Sequence, residues 1–359
     1  MSSVLEYKCP CCGGAIAFDS ASQKMKCPFC DTEFEMQTLK DYDEQLKSEA
    51  PDRMNWDERD RESWNPEGMV SYICHSCGGE IVGDATMAAT SCPFCSNPVV
   101  IKEQVQGTYK PDIVIPFQLD REAAKKALQG HMKGKRLLPK SFVREMRIEE
   151  IKGIYLPFWL FDASCDAALR FRATRTHHWS DRKYNYTETQ YYSLYRAGEA
   201  GFVGVPVDGS SAAPDDLMES IEPFDLSRAV DFQTAYLAGY FADRYDVDDK
   251  ASIGRANERI KTSVEELFRG TITGYQTVRS EASSVNLSQT STRLAFFPVW
   301  MLTTKWKDKN YTFAMNGQTG KFIGDLPVDR TAAWLWRAGI FAVSAAAFYG
   351  LVALIHLLF

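Results

Sequence analysis

Residues 7–30 read YKCPCCGGAIAFDSASQKMKCPFC, and residues 72–95 read YICHSCGGEIVGDATMAATSCPFC. The two stretches align at one constant offset, so that Cys9, Cys12, Cys27 and Cys30 fall on Cys74, Cys77, Cys92 and Cys95. The same offset pairs Tyr7 with Tyr72, Gly13-Gly14 with Gly78-Gly79, and Pro28-Phe29 with Pro93-Phe94. Matching of this kind marks a duplicated module.

Each copy supplies two C-x-x-C knuckles, with enough chain between them for a strand, a turn and a returning strand. A tetrahedral metal ion needs four soft ligands, and one knuckle delivers two thiolates from a single tight turn. The glycine after the second cysteine, Gly13 or Gly78, lets the backbone turn back with its amides toward sulfur. The reading is two four-cysteine zinc ribbons, each holding one structural Zn2+. Iron in a rubredoxin-like four-sulfur site satisfies the same spacing and stays open as an alternative. Thioredoxin-like redox chemistry fits less well, because that motif lies between a strand and a helix of a βαβ unit, whereas here the pairs come in matched twos. Cys11 has no counterpart, since Ser76 stands in its place, and reads as a bystander. With four protein ligands per ion no coordination position is left for water or substrate, so a catalytic metal is not expected. The ions should stabilise domains too small to bury a sufficient core. Phe29 and Phe94 on the knuckles either meet partners or pack on the ribbon's own strands, and the second fate is the simpler one.

Outward from the ribbons, Asp41 to Glu62 carries nine acidic and four basic residues, which suggests a solvated linker or a short surface helix. The chain therefore divides into ribbon 1 over 1–40, an acidic linker over 41–70, ribbon 2 over 71–106, a body over 107–330 and a terminal segment over 331–359. Within the body, IVIPF in 110–119 reads as a strand and 120–129 as a helix capped by Asp120. IYLPFWLF (154–161) and LAFFPVWML (294–302) are apolar strands whose prolines suggest an edge or a bulge. Residues 165–179 and 184–195 alternate like an antiparallel pair; 225–245 and 251–267 look helical; 271–297 has strand character. YTFAMNGQTGKFIG (311–324) reads as a hairpin turning at Asn316-Gly317 and Gly320. The expected fold class is α+β with a mostly antiparallel sheet.

From Ala338 to Phe359 run 22 residues without Asp, Glu, Lys or Arg. As a helix they would reach roughly 33 Å, enough to cross a hydrocarbon core of about 30 Å. Trp334 and Trp336 precede this stretch at the position of an interfacial belt, and Arg330 and Arg337 lie on the same side, which favours a cytoplasmic N-terminal body. Ala342, Ala346 and Gly350 form a small-residue stripe that permits close helix–helix approach. The cysteines agree on compartment: metal-binding thiolates must stay reduced, and residues 1–30 lack a secretory signal. The expected location is a cell membrane, crossed once.

Hydrophobic residues make up 45% of the 359 and charged residues 25%, with a formal net charge of −6. That balance disfavours a nucleic-acid binder, which needs a concentrated basic face. Enzyme signatures are missing as well: there is no Walker motif, GxGxxG or G-x-S-x-G. His177-His178 point to opposite strand faces and make a poor ligand pair. Cys165 carries no nucleophile signature and reads as core.

KCPCCGG, MKCPFC, YLPFWLF, FDLSRAVDFQTAYLAGYFADRYDV, PVW and YTFAMNGQTGKFIGDLP together resemble a family of bacterial membrane proteins with a TFIIB-type zinc ribbon, sometimes labelled replication-restart helicase-like. The helicase label has no support in these residues. The resemblance implies work beside a phage-shock protein A homologue and an SPFH-like zinc-ribbon protein in a membrane-stress response. The expected function is a non-enzymatic, membrane-anchored adaptor that recruits partner proteins. A nucleic-acid-binding regulator and an enzyme with an unrecognised site in the body are the alternatives.

Overall fold

The computed structural model describes residues 9, 11, 12, 14, 16–19, 24–35, 38, 51–64, 69–84, 91–104 and 108–358, with side chains omitted for 84, 100–104 and 351–358. Early strands are β1 (Ala17–Asp19), β2 (Lys24–Lys26), β3 (Glu33–Phe34), β4 (Ser63–Trp64), β5 (Met69–Ile73), β6 (Glu80–Asp84), β7 (Val100–Gln104), β8 (Thr108–Tyr109) and β9 (Ile113–Val114). Later strands are β10 (Lys152–Ser180), β11 (Asn185–Asp208), β12 (Val230–Asp231), β13 (Phe241–Asp243), β14 (Thr277–Trp306), β15 (Lys309–Asn316) and β16 (Phe322–Gly324). Helices are α1 (Arg121–Met132), α2 (Lys140–Glu145), α3 (Asp215–Ile221), α4 (Asp249–Gly270) and α5 (Arg330–Leu358). The fold class is α+β. Antiparallel pairing predominates, with parallel exceptions at β10–β13 and β14–β9.

The chain forms two compact units that do not follow its linear order. One comprises Met1–Arg59, Phe161–Val205 and Ile253–Thr292; the other comprises Asp60–Leu160, Pro206–Ser252 and Arg293–Phe359.

In the second unit the sheet order β12-β9-β14-β10-β13-β6-β5-β7 puts the two proline-containing apolar runs in interior strands. This corrects the edge reading. Both runs are covered on both faces: Leu156, Phe158 and Leu160 pack with Phe297, Val299 and Met301, whereas Tyr155 and Phe296 enter a different cluster. A lost ladder bond costs about 1 kcal/mol, against roughly 2 kcal/mol gained per fully buried large side chain. The proline carbonyls still bond, Pro157 accepting from the Gly209 N–H at 2.9 Å and Pro298 from the Gly317 N–H at 2.8 Å. Helix α1 starts as expected on Asp120, whose carboxylate accepts from the Ala123 N–H at 2.8 Å. Its Ala124 and Leu128 bury against Trp300, Leu302 and Phe313. The 311–324 hairpin forms as β15–β16, with the Asn316 carboxamide accepting from the Gln318 and Thr319 amides at 2.9 Å and Gly320 at φ +79°.

Residues 225–245 form no α-helix. Short 3-10 turns at Leu226–Arg228 and Thr234–Leu237 alternate with β12 and β13. Their backbone groups go to sheet neighbours instead, as where the Phe232 N–H donates to the Asp112 carbonyl at 3.1 Å. Gly239 at φ +82° breaks any helical continuation. Tertiary pairing overrides local helix preference here.

In the first unit α4 presents Ala256, Ile260, Val264 and Phe268, four apart on one stripe, as its buried face. Ile260, Val264 and Phe268 pack with Cys165, Leu169, Phe171 and Val285. Strands β10 and β11 form the expected hairpin, with Thr176 opposite Thr189 and His178 opposite Thr187. Over residues 51–62 the acidic stretch keeps most of its side chains in solvent, as expected, but it is held at a few points. Arg53 exchanges backbone bonds of 2.9 Å with Val285 and Leu287. The Trp56 indole N–H donates to Asn257 at 2.8 Å and its ring meets Phe161 edge-on. Farther along, in the second unit, Arg61 is 6% exposed at its side chain, pairs with Asp249 at 3.0 Å and lies 4.6 Å from the Trp159 ring centroid. Composition suggested solvent; a few apolar and cationic anchors tie this part of the stretch down. Residues 41–50 lie outside the described residues.

Helix α5 begins on a cap in which Asp329 accepts from the Thr331 and Ala332 amides at 3.0 and 3.1 Å. Its span Arg330–Gly350 is long and apolar enough to cross a membrane, and none of its most apolar window is buried. Trp334, Trp336 and the stripe residues Ala342, Ala346 and Gly350 all lie on this exposed helix.

Candidate metal centres

The backbone builds each centre by the same turn used four times. In ribbon 1, the Cys9 N–H donates to the Gly14 carbonyl at 2.7 Å and the Cys27 N–H to Thr32 at 3.0 Å. In ribbon 2, the Cys74 N–H donates to Gly79 at 3.0 Å and the Cys92 N–H to Asn97 at 2.7 Å. The residue after the second cysteine of a knuckle takes the left-handed conformation: Gly78 at φ +79°, Asp31 at +55° and Ser96 at +61°. Gly78 therefore has the role read for it; Gly13 lies outside the described residues. That the later knuckles impose this conformation on Asp31 and Ser96 was not foreseen, although short polar side chains tolerate it best.

These turns bring Cys9, Cys12, Cys27 and Cys30 into one group and Cys74, Cys77, Cys92 and Cys95 into another, all ligand atoms of a group within 4.8 Å of one another. Sulfur–sulfur separations are 3.6 Å for Cys9–Cys30, 3.4 Å for Cys12–Cys27, 3.4 Å for Cys74–Cys95 and 3.6 Å for Cys77–Cys92. A tetrahedron with Zn–S bonds of ~2.3 Å has edges of ~3.8 Å, so the donor set fits Zn2+ after a small outward relaxation. Cys11 belongs to neither group; its amide donates to the Cys9 sulfur at 3.4 Å.

Polar neighbours support the thiolates at equivalent places. The Thr32 hydroxyl lies 3.2 Å from the Cys30 sulfur, and the Asn97 carboxamide donates to the Cys95 sulfur at 3.5 Å. The repeat offset pairs these two residues, a signal present in the sequence but not used. Burial pushes the Cys9 and Cys92 thiols up, and Cys77 up to about 11. Cys30 comes down to about 6: burial raises it, but the hydrogen bonds from Thr32 and from the Cys27 and Cys9 thiols outweigh that. Cys74 comes down to about 7 in the same way, through the Cys77 and Ser76 amides. Each centre thus holds one readily ionised thiolate, the form a metal ligand requires.

The two modules differ in what surrounds them. Ribbon 2 is woven into the large sheet: β6 pairs with β5 on one side and with β13 on the other, Ala242 opposite Val82. Cys74, Cys92 and Phe94 join the main core with Ala213 and Met218. Ser96 donates to the Thr303 carbonyl, Thr303 donates to Pro93 at 3.1 Å, and Lys152 reaches the Ser91 hydroxyl at 2.6 Å. Ribbon 1 has its own sheet, β1-β2-β3, and a small core of Cys9, Cys11 and Cys27 with Ile16, Cys30 and Phe34. The matched phenylalanines report the difference. Phe94 is 7% exposed and lies against Gly79 inside the main core; Phe29 lies over Gly14 and is 73% exposed. Phe94 is therefore core and not a partner contact, and Phe29 keeps one open face.

Outside the centres, Cys165 is buried and its thiol is pushed up to about 11 by burial, with Asp166 adding to it, as a core cysteine should be. His177 and His178 sit on the exposed hairpin, His177 stacked on Trp179 and His178 bonded to Thr187.

Fold and centres together define a membrane-anchored protein with two four-cysteine metal-binding ribbons on an α+β body. The chain is 32% identical over 337 residues to the uncharacterized protein YdjG of Bacillus subtilis (strain 168), 94% of each chain being covered, and it belongs to that protein's family. No family model matches the chain, and no solved structure matches it.

Proposed function

We propose that this chain is a membrane-anchored adaptor whose ribbon 1 recruits a protein partner to the bilayer. One observation carries the reading: of two copies of one module, the body consumes the aromatic knuckle of the second and leaves that of the first open. Structural metal in both explains why the fold is kept twice; the open Phe29 face gives the first copy something to do. Reduced thiolates and the arginines beside the apolar helix support a cytoplasmic body. The TFIIB-type resemblance supplies the partner to try first, a phage-shock protein A homologue, with an SPFH-like protein second and membrane stress as the setting. This reading assigns the chain no catalytic role.

The test is co-purification of a tagged phage-shock protein A homologue with the full-length, detergent-solubilised chain. Phe29→Ala is expected to abolish capture while metal content stays at two ions per chain. Undiminished capture by Phe29→Ala would remove ribbon 1 as the recruiting surface, and capture of neither homologue by the unaltered chain would remove these partners.

A further inference from the structure

The β10–β11 hairpin carries a surface that the adaptor reading does not use. From His177 to Gln190 every residue is exposed, so neither face of the two-stranded ribbon is covered. Large aromatic side chains nevertheless gather there, with Trp179 44% and Tyr184 64% exposed. Exposed clusters of this kind mark interaction sites. The rings are ordered against each other: Trp179 stacks on Tyr186 with centroids 5.4 Å apart and planes at 10°, and His177 stacks on Trp179 at 5.5 Å. The turn is rigid, because the Asp181 carboxylate accepts from the Lys183 and Tyr184 amides at 2.7 Å and from the Tyr186 hydroxyl at 3.0 Å. Between 175 and 196 the chain has four cationic residues, Arg175, Arg182, Lys183 and Arg196, against Asp181 and Glu188, although the whole protein is net −6.

Amphipathic rings with a modest cationic excess match the headgroup layer of an anionic bilayer, where Trp and Tyr partition and Arg and Lys meet lipid phosphates. Nucleic acid matches less well. Base stacking needs free ring faces, and Trp179 already stacks with Tyr186 and His177; the small charge excess also neutralises few phosphates. The chain carries its own membrane-crossing helix, so a bilayer is always within its surroundings. We propose that the tip of this hairpin, led by Trp179 and Tyr184 with Arg182 and Lys183, is a second membrane contact that inserts into the headgroup layer of anionic lipid.

The experiment uses the full chain in nanodiscs, in a Trp334→Phe, Trp336→Phe background that removes the indoles beside the membrane-crossing helix. The Trp179 fluorescence is taken as the difference between this protein and the same protein with Trp179→Phe. With bromine on the upper acyl chains of equimolar phosphatidylcholine and phosphatidylglycerol, that difference is expected to fall by about half or more, and by much less in phosphatidylcholine alone or in high salt. Arg182→Glu with Lys183→Glu is expected to restore it. An unquenched Trp179 in the anionic discs overturns the proposal. So does equal quenching with and without the charge reversal, which would make the contact independent of anionic lipid, or protection of Trp179 by single-stranded DNA in place of lipid. The exposed positions of Trp179, Arg182, Lys183, Trp334 and Trp336 let the variants fold, and metal content verifies it.

Discussion

Phe29 and Phe94 hold the same place in the same module, yet they are not equivalent residues. Phe94→Ala removes a ring packed against Gly79 inside the main core and is expected to cost about 3–5 kcal/mol, read by denaturant unfolding in detergent. Phe29→Ala should stay within about 0.5 kcal/mol by the same measurement, since that ring is mostly in solvent. A second residue-scale consequence concerns Asp243. It is buried on β13, and burial holds its carboxyl well above the ordinary 3.8, against hydrogen bonds from Ser210 and the Arg244 amide and with Asp246 and Asp208 adding to the rise. A group whose folded value is raised contributes stability below its unfolded value and loses it as pH climbs toward the folded one. Asp243→Asn, which cannot ionise, is expected to match the unaltered protein near pH 3.8 and to become progressively the more stable as pH rises. Parallel unfolding curves across that range would contradict the assignment.

At the scale of elements, strand pairing decided where periodicity was ambiguous. The run 225–245 has helix-compatible spacing, but its backbone was claimed by β9 and β10, which no local pattern announces. The hairpins at 165–195 and 311–324 and the helices α1 and α4 were legible, because each is set by contacts between near neighbours in sequence: a cap, an alternation, or a stripe four apart. Helix α5 is equally local. Deleting residues 338–359 is expected to move the protein from the membrane fraction to the soluble fraction; retention in the membrane pellet would mean that α5 is not what holds it there. The fractionation is done in high salt, because the proposed hairpin contact would leave the truncated chain a weak, salt-sensitive association of its own.

For the molecule as a whole, the two centres should differ in what they support. Replacing Cys74 and Cys77 by serine removes ligands from a module whose strands lie inside the large sheet, so the second unit should lose thermal stability along with one metal ion. Replacing Cys9 and Cys12 should also release one ion, yet leave the melting of the second unit in place, because the core of ribbon 1 is made of its own residues. Differential scanning calorimetry with metal analysis separates these outcomes; equal loss in both variants would contradict the embedding of ribbon 2.

The duplication, the eight clustered cysteines and the apolar helix were determined by the sequence alone, because a repeated spacing and an unbroken apolar stretch are one-dimensional facts with a direct physical meaning. Thr32 and Asn97 were within reach of the same repeat. Only the tertiary structure decided which ribbon is buried, that Pro157 and Pro298 lie in interior strands, and that Arg53, Trp56 and Arg61 anchor the otherwise exposed stretch 51–62. Each of these depends on pairing between segments far apart in the chain, where burial on both faces outweighs a local preference of about 1 kcal/mol. Two copies of one module thus received different surroundings.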